Sequence, residues 1–425
     1  MTAAELGALA GLRYGALGFP LAFVALPLYV NLPAHYAQQY GVPLATLGLL
    51  LLVSRALDAL ADPFIGLACD RWLRRGPRPL FALLSLAALL LAAAFAALFH
   101  PPAWGPTGLL AWCALMLMAA YLAYSLLSVM HQAWGASLGG SAVQQTRIAA
   151  WREGLALAGV ICASVLPGLA GIGATSLLLP LALALALLGL WGAPRGRPGQ
   201  ATAPRPDPWL AWRVPGFRRL LPVFLLNGVA AAIPATLLLF FVRDRLQTPQ
   251  AEGLYLGSYF AAAALSMPLW LRAVARFGQA RSWLMAMLLA LACFAWAASL
   301  PSGAVAGFTL VCLGSGLALG ADLSIPAAML ARVLQAAGLS GRAEGVFFGW
   351  WNLCNKLNLA LAAGLALPLL GALGYAPGQR EPQALQALTL AYGALPCLLK
   401  AAAAALLYLL WIRREPGALR LKEAR

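Results

Sequence analysis

The sequence is poor in charge. Only 10% of its 425 residues are charged and 62% are hydrophobic, against about 25% charged and about 45–50% apolar in soluble domains. A soluble chain of this length has too much surface to cover with so few charges. A globular soluble fold, a coiled coil and a disordered tail are all excluded. Acid is scarcer still: 13 Asp and Glu stand against 29 Lys and Arg, of which 3 are Lys. The cysteines, at 69, 113, 162, 293, 312, 354 and 397, are odd in number and form no C-x-x-C pair. Neither a disulfide framework nor a zinc site follows from such spacing. The histidines at 35, 100 and 131 are too scattered to suggest a metal set. No Walker sequence occurs, and Gly314-x-Gly316 lies inside an apolar run with no strand before it, so it reads as helix packing. Nothing here points to an enzyme or to an organic cofactor.

What the chain has is apolar length, with a mean hydropathy of +0.82. A helix that crosses a bilayer needs about 20 such residues. Twelve runs qualify, near 14–32, 44–68, 79–99, 107–134, 148–170, 174–193, 218–242, 254–272, 282–300, 304–331, 344–370 and 388–412. An all-α membrane protein of twelve helices is predicted. The net charge of +16 suggests nucleic acid until it is sorted by side. With both termini cytoplasmic, 23 Lys and Arg fall inside, and only Arg243, Arg245 and Arg380 fall outside. Arg55, Lys356 and Lys400 lie within spans. This bias is the positive-inside pattern, so the basicity belongs to topology and lipid headgroups, not to nucleic acid. The N-terminal stretch carries Glu5 and no cleavable signal design, so the first span is expected to be retained. Arginine-rich, Ala-, Gly- and Pro-rich usage suggests a bacterial gene and a bacterial cytoplasmic membrane.

Residues 194–216, rich in Pro, Gly and Arg, divide the spans six and six. The expected organisation is a six-helix bundle over 1–193, a cytoplasmic linker over 194–216, and a second bundle with a cytoplasmic tail over 217–425. Each half carries a short basic loop between its second and third helix, GLACDRWLRRGPRP at 66–79 and LRAVARFGQARSW at 271–283. Related loops at matching places suggest duplication, the sign of a two-bundle transporter.

The first loop, Gly66-x-x-x-Asp70-Arg71 with Arg74 and Arg75, resembles the signature loop of the major facilitator superfamily. That resemblance implies the two-bundle fold and a gating loop that braces neighbouring helix ends. Helix two narrows it. Arg55-x-x-Asp58-x-x-x-Asp62-Pro63, GADLSIPAAML at 320–330 and EGVFFGWWNLCNKLNLALA at 344–362 resemble the glycoside–pentoside–hexuronide:cation symporters.

Arg55, Asp58 and Asp62 are spaced i, i+3, i+7, so one helical face carries all three, with the two carboxylates about 5–6 Å apart at Cβ. Each costs about 2.5–3.5 kcal/mol in a membrane interior. A shared proton or Na⁺ relieves their repulsion; the alternative is a structural bridge in which Arg55 neutralises one acid. The resemblance implies that Asp58 and Asp62 are cation ligands, with Ser125 as the hydroxyl ligand. On helix four Tyr121, Tyr124, Ser125, Ser128 and Gln132 form a polar stripe, either lining a solute cavity or gluing helices. Lys356, with Asn352 and Asn355 one turn before it, needs an acid, and Asp58, Asp62 and Asp322 are the candidates. It serves either coupling or a static ion pair. Asp322 is a further cavity candidate. Arg152 aligns with an arginine that the family places by its sugar pocket, while neutralisation by neighbouring Glu153 leaves a gate or helix-end role as the alternative. Lys400, mid-span, suggests only a cavity-facing or snorkelling side chain. Trp350, Trp351, Tyr29 and Tyr375 suit either stacking on a sugar or anchoring at the interface, and the anchor is the first reading for most of them.

Two departures matter. The family's sugar-gripping acids align with Pro20 and Ser128, and its Asn beside the second cation acid with Ala61. The resemblance therefore implies a cation-coupled importer of a small solute, a sugar or sugar derivative. The alternatives are export, movement of an amphipathic or lipid-like solute on the same fold, and a membrane sensor that transports nothing. The expected partners are a small solute, a coupling Na⁺ or H⁺ and the bilayer, and the chain is expected to act as a monomer.

Overall fold

The computed structural model describes residues 6–102, 104–196, 207–376, 378–379 and 381–414. Every regular element among them is helical. In hydrocarbon each backbone N–H and C=O must be satisfied within its own segment, and uninterrupted Leu and Ala runs allow this. The first span is built in pieces: α1 (Ala8–Gly15), α2 (Gly18–Leu26), a π-turn over Pro27–Asn31, and α3 (Leu32–Tyr40). Pro20, Pro27 and Pro33 each remove a backbone donor, which accounts for an irregular ladder. Then come α4 (Leu44–Leu73), α5 (Pro77–Phe99) and α6 (Pro106–Ser137), the last two opening on proline in the first turn. The Ser141 hydroxyl accepts from the Gln144 backbone N–H at 3.2 Å and caps α7 (Ala142–Trp191).

The 50 residues of α7 hold two predicted spans with no polar loop between them. Gly171, at φ 77 and ψ 173, is the single non-helical residue, a conformation that a side chain would disfavour. A short α8 (Leu210–Arg213) precedes α9 (Pro215–Phe240), α10 (Glu252–Phe277), α11 (Gln279–Ser299), α12 (Val305–Ala336) and α13 (Glu344–Ala372). The last span comprises α14 (Pro382–Thr389), a π-turn, α15 (Leu395–Leu407) and a second π-turn.

Among the described residues, eleven helices are long and apolar enough to cross a membrane. The predicted span at 44–68 is the additional one. It lies in α4, 30 residues long, whose apolar run is broken by Arg55, Asp58 and Asp62. Large side chains on outward faces are leucines such as Leu169, Leu177, Leu188 and Leu265, at 72–81% exposed. So many bare leucines suit lipid and not water.

The chain forms two compact units. The first contains residues 1–211 and 331–353; within it α2 lies along α7 and α5 along α6, around buried Tyr14, Phe23 and Phe95. The second contains 212–330 and 354–425. There α15 lies along α9 and α11, and Phe241 stacks on Tyr392 at 4.0 Å. Hydropathy divides the chain at the linker, whereas packing assigns 331–353 to the first unit. Linker residues 197–206 and tail residues 415–425 lie outside the described residues, as does Arg380. The linker's end is tied down within the first unit, where the Trp350 indole donates to the Pro208 carbonyl at 2.8 Å.

Candidate functional site

The polar face of α4 meets the polar stripe of α6 inside the first unit. Asp58 lies 14 residues into its helix, about 21 Å along it at about 1.5 Å per residue. The Ser125 hydroxyl donates to Asp58 Oδ1 at 2.7 Å. Asp62, one turn further, is 0% exposed. Arg55 lays its guanidinium 3.7 Å from the centroid of the Tyr29 ring and interacts electrostatically with Tyr121, Tyr124 and Asp58. Tyr29 belongs to the π-turn of the first span, so the widened turn brings an aromatic face under the arginine. Cation–π contact of this kind contributes about 0.5–2 kcal/mol. Sequence spacing put Arg55 beside the acids but gave Tyr29 an anchor's role.

Further along α6, the Gln132 side-chain amide donates to Ser128 Oγ at 3.1 Å and to Asn352 Oδ1 at 2.9 Å. The stripe is thus hydrogen-bonded within itself and to α13. Lys356, on the same helix, is half-buried. Arg152, 9% exposed, binds Glu153 through Nη2 at 2.7 Å and Nε at 2.8 Å. Close by, Tyr14 donates to the His131 carbonyl at 2.9 Å, and His131 Nε2 reaches the Tyr14 carbonyl at 2.8 Å. A carbonyl only accepts, so Nε2 carries the hydrogen. His131 had no role in the sequence; its partner sits 117 positions away, beyond any local spacing.

The signature loop is resolved as a helix cap. Asp70, 2% exposed, accepts from the backbone N–H of Gly345 at 2.7 Å and of Val346 at 3.0 Å. These are among the unsatisfied donors at the start of α13, and a carboxylate there also meets the positive end of the helix dipole. Arg74 Nε donates to the Asp70 carbonyl at 3.2 Å, Arg75 stacks on Trp72, and Arg71 is exposed. Gly66 explains how the helices come so close. A Cβ placed on it would lie 2.0 Å from the Gly345 carbonyl oxygen, and one on Gly349 would lie 2.5 Å from that of Asp62. Gly345-x-x-x-Gly349 is a small-residue motif, visible in the sequence but not used there. A cleft of about 230 Å³ opens beside Asp70, lined in part by Glu344, Trp134 and Arg195. Its walls do not include Asp58 or Asp62, so it is a space under the loop and not the site of the acids.

Asp322 lies in the second unit and pairs with Lys400, Nζ to Oδ2, at 2.9 Å. The Asn227 amide and the Trp283 indole both donate to its Oδ1, at 3.0 and 2.8 Å. A buried carboxylate recruits whatever donors the packing offers, and here they come from α9, α11 and α15. Lys400, for which the sequence suggests only a cavity-facing or snorkelling side chain, is the counter-charge. Outside the spans, Tyr375 donates to Asp244 Oδ2; burial, then that hydrogen bond, raises the phenol's pKa, so it stays protonated.

Among the described residues no group of three or more His, Cys, Asp or Glu could hold a metal ion. A cation at the α4 acids would rest on two carboxylates and neutral oxygens.

Comparison with known proteins follows the same line. The profile of the family described as MFS/sugar transport protein matches residues 11–193 and 210–414. The inner membrane symporter YicJ of Escherichia coli (strain K12) is 29% identical over 135 residues, which is 31% of this chain and 28% of that protein. The match therefore spans well under half of the relative. A bacterial homologue of the iron transporter ferroportin, in its outward-facing state, superposes with a TM-score of 0.69 at 17% identity, over 95% of this chain and 99% of that one. The same homologue with soaked iron gives 0.64, again at 17% identity and over 95% and 99% of the two chains. At that identity the likeness is one of fold.

Proposed function

Because the chain belongs to the MFS/sugar transport protein family, within the major facilitator glycoside–pentoside–hexuronide:cation symporters, we propose that it couples the entry of a sugar or sugar derivative to Na⁺ or H⁺. It is a multi-pass membrane protein and a secondary transporter, not an enzyme. The coupling site in this reading is Asp58, Asp62 and Ser125. The observation that carries it is the Ser125 hydroxyl on Asp58 at 2.7 Å, with Asp62 fully buried one turn away. Two carboxylates in hydrocarbon demand a positive partner each. Arg55 supplies one charge, and a bound cation or proton supplies the other. With that charge in place the site is neutral and suits an uncharged, hydroxyl-bearing solute. The Gln132–Ser128–Asn352 chain and Tyr121, Tyr124 and Arg152, all in the first unit, offer hydrogen-bonding groups for such a solute.

The reading includes a bacterial cytoplasmic membrane, both termini cytoplasmic, and a monomer acting by alternating access. The test is concentrative uptake by the purified chain in proteoliposomes, with imposed Na⁺ or proton gradients and a panel of labelled monosaccharides and glycosides. Asp58→Cys and Asp62→Cys are expected to abolish accumulation while leaving the protein folded in the membrane. Accumulation retained by Asp62→Cys, normalised to reconstituted protein, removes the coupling assignment. Uptake of a lysolipid in place of every sugar would move the chain to the alternative cargo.

A further inference from the structure

The last turn of α7 ends on an exposed ring beside two arginines. Trp191 is 52% exposed, yet its ring is seated on buried Phe81, with the centroids 4.5 Å apart. The Arg195 guanidinium stands 5.9 Å from the centroid of that indole, within cation–π reach. Arg13, from α1, donates through Nη1 to the Gly192 carbonyl at 3.4 Å. Two glycines admit it: a Cβ on Gly189 would lie 3.4 Å from the Arg13 carbonyl oxygen, and one on Gly192 3.3 Å from Arg13 Nη1. One guanidinium thus rests on residue 191 and the other on residue 192, whose Cα atoms are about 3.8 Å apart. Both arginines are exposed, and among the described residues neither forms an ion pair. Asp70 and Glu344, the acids that share a cleft with Arg195, are each 2% exposed and already accept from backbone N–H groups.

The approach to this point is apolar. Leu177, Leu181, Leu185 and Leu188 are 55–75% exposed. With Trp191 they fall at i, i+4, i+8, i+11 and i+14, one face of α7, and such a bare stripe suits acyl chains. An indole at the end of a span belongs at headgroup level, and guanidinium groups bind phosphate through paired N–H donors. We infer that Arg13, Trp191 and Arg195 form a site for one anionic phospholipid, its headgroup on the two arginines and its acyl chains along the leucine stripe. A free phosphate would leave the stripe and the indole without a use. A zwitterionic lipid brings an ammonium that two guanidiniums repel. The site shares no residue with the α4 acids, so it stands or falls apart from the coupling reading.

The experiment measures lipid binding to the full chain by native mass spectrometry from detergent, with dioleoylphosphatidylglycerol against dioleoylphosphatidylcholine. Three proteins are compared: wild type, Arg13→Gln with Arg195→Gln, and a control, Arg272→Gln with Arg281→Gln. The control removes the same charge from exposed positions of the second unit. Each arginine at a lipid surface contributes a factor of about five to binding of an anionic lipid. The site pair is therefore expected to weaken the first phosphatidylglycerol by about thirtyfold and to leave phosphatidylcholine unchanged. The control pair is expected to stay within about twofold of wild type, since distant charges are screened. If the site pair does not accumulate, Arg195→Gln alone decides, with a loss of about fivefold expected and an unchanged affinity overturning the proposal. Equal losses in site pair and control, no preference of wild type for phosphatidylglycerol, or displacement of the lipid by glycerol 3-phosphate alone also overturns it.

Discussion

Replacing Asp70 by Asn tests whether the signature loop acts as a cap on α13. The carboxylate accepts two backbone N–H groups, at 2.7 and 3.0 Å. Asparagine offers one oxygen for the pair and turns an N–H toward the second donor. Losing one charge-assisted bond costs about 1.5–3 kcal/mol, and losing the anion at the helix N-terminus costs about 0.3–1 kcal/mol more. Glu344 is an electrostatic neighbour of Asp70, and relief of that repulsion offsets roughly 1 kcal/mol. The net loss is about 1–3 kcal/mol. At about 2–4 °C per kcal/mol for a body of roughly 200 residues, the unfolding midpoint falls by about 3–10 °C. The assay is detergent-solubilised thermal unfolding followed by size exclusion, with proteoliposome uptake measured in parallel. Asp70→Glu keeps the charge and is expected to recover part of the loss. Turnover is expected to fall while the half-activating cation concentration stays put, because Asp70 lies two turns beyond Asp62. An unchanged midpoint, or a shift in cation activation alone, refutes the cap.

The close approach of α4 and α13 predicts that Gly66→Val removes the protein from the membrane fraction, since even a Cβ would lie 2.0 Å from the Gly345 oxygen; expression at wild-type level would contradict that packing. Topology is checked by reporter fusions: after Arg413 and after Pro208 they should report cytoplasm, and after Thr248 the outer face. A cytoplasmic signal at Thr248 would reverse the charge-based orientation.

The helical architecture was readable because lipid imposes a simple rule. Long apolar runs must be helices, and the runs were nearly contiguous. The α4 acids were readable for the opposite reason, since Asp58 and Asp62 violate that rule and their spacing fixes a common face. The meeting of Ser125 with Asp58 was reached only through a family resemblance. Pairings between distant helices were not readable at all. Lys400 stands out as a charge in a span, but its spacing names no acid for it. Which pair forms depends on packing of α12 against α15, and no periodicity encodes it. The same holds for Tyr14 and His131, and for residues 331–353. In the sequence they are the loop after the tenth span and the first ten residues of the eleventh, yet they group with the first unit, where Asp70 holds the start of α13.

The glycine contact between α4 and α13 has a mechanical consequence. Most helix pairs interlock, with side chains lodged in gaps of the neighbour, and parting them means turning many rotamers at once. At Gly66, Gly345 and Gly349 backbone faces backbone, so there are no teeth to disengage. Such a joint behaves as a latch and not as a gear. What holds it is concentrated in the Asp70 carboxylate and its two N–H donors.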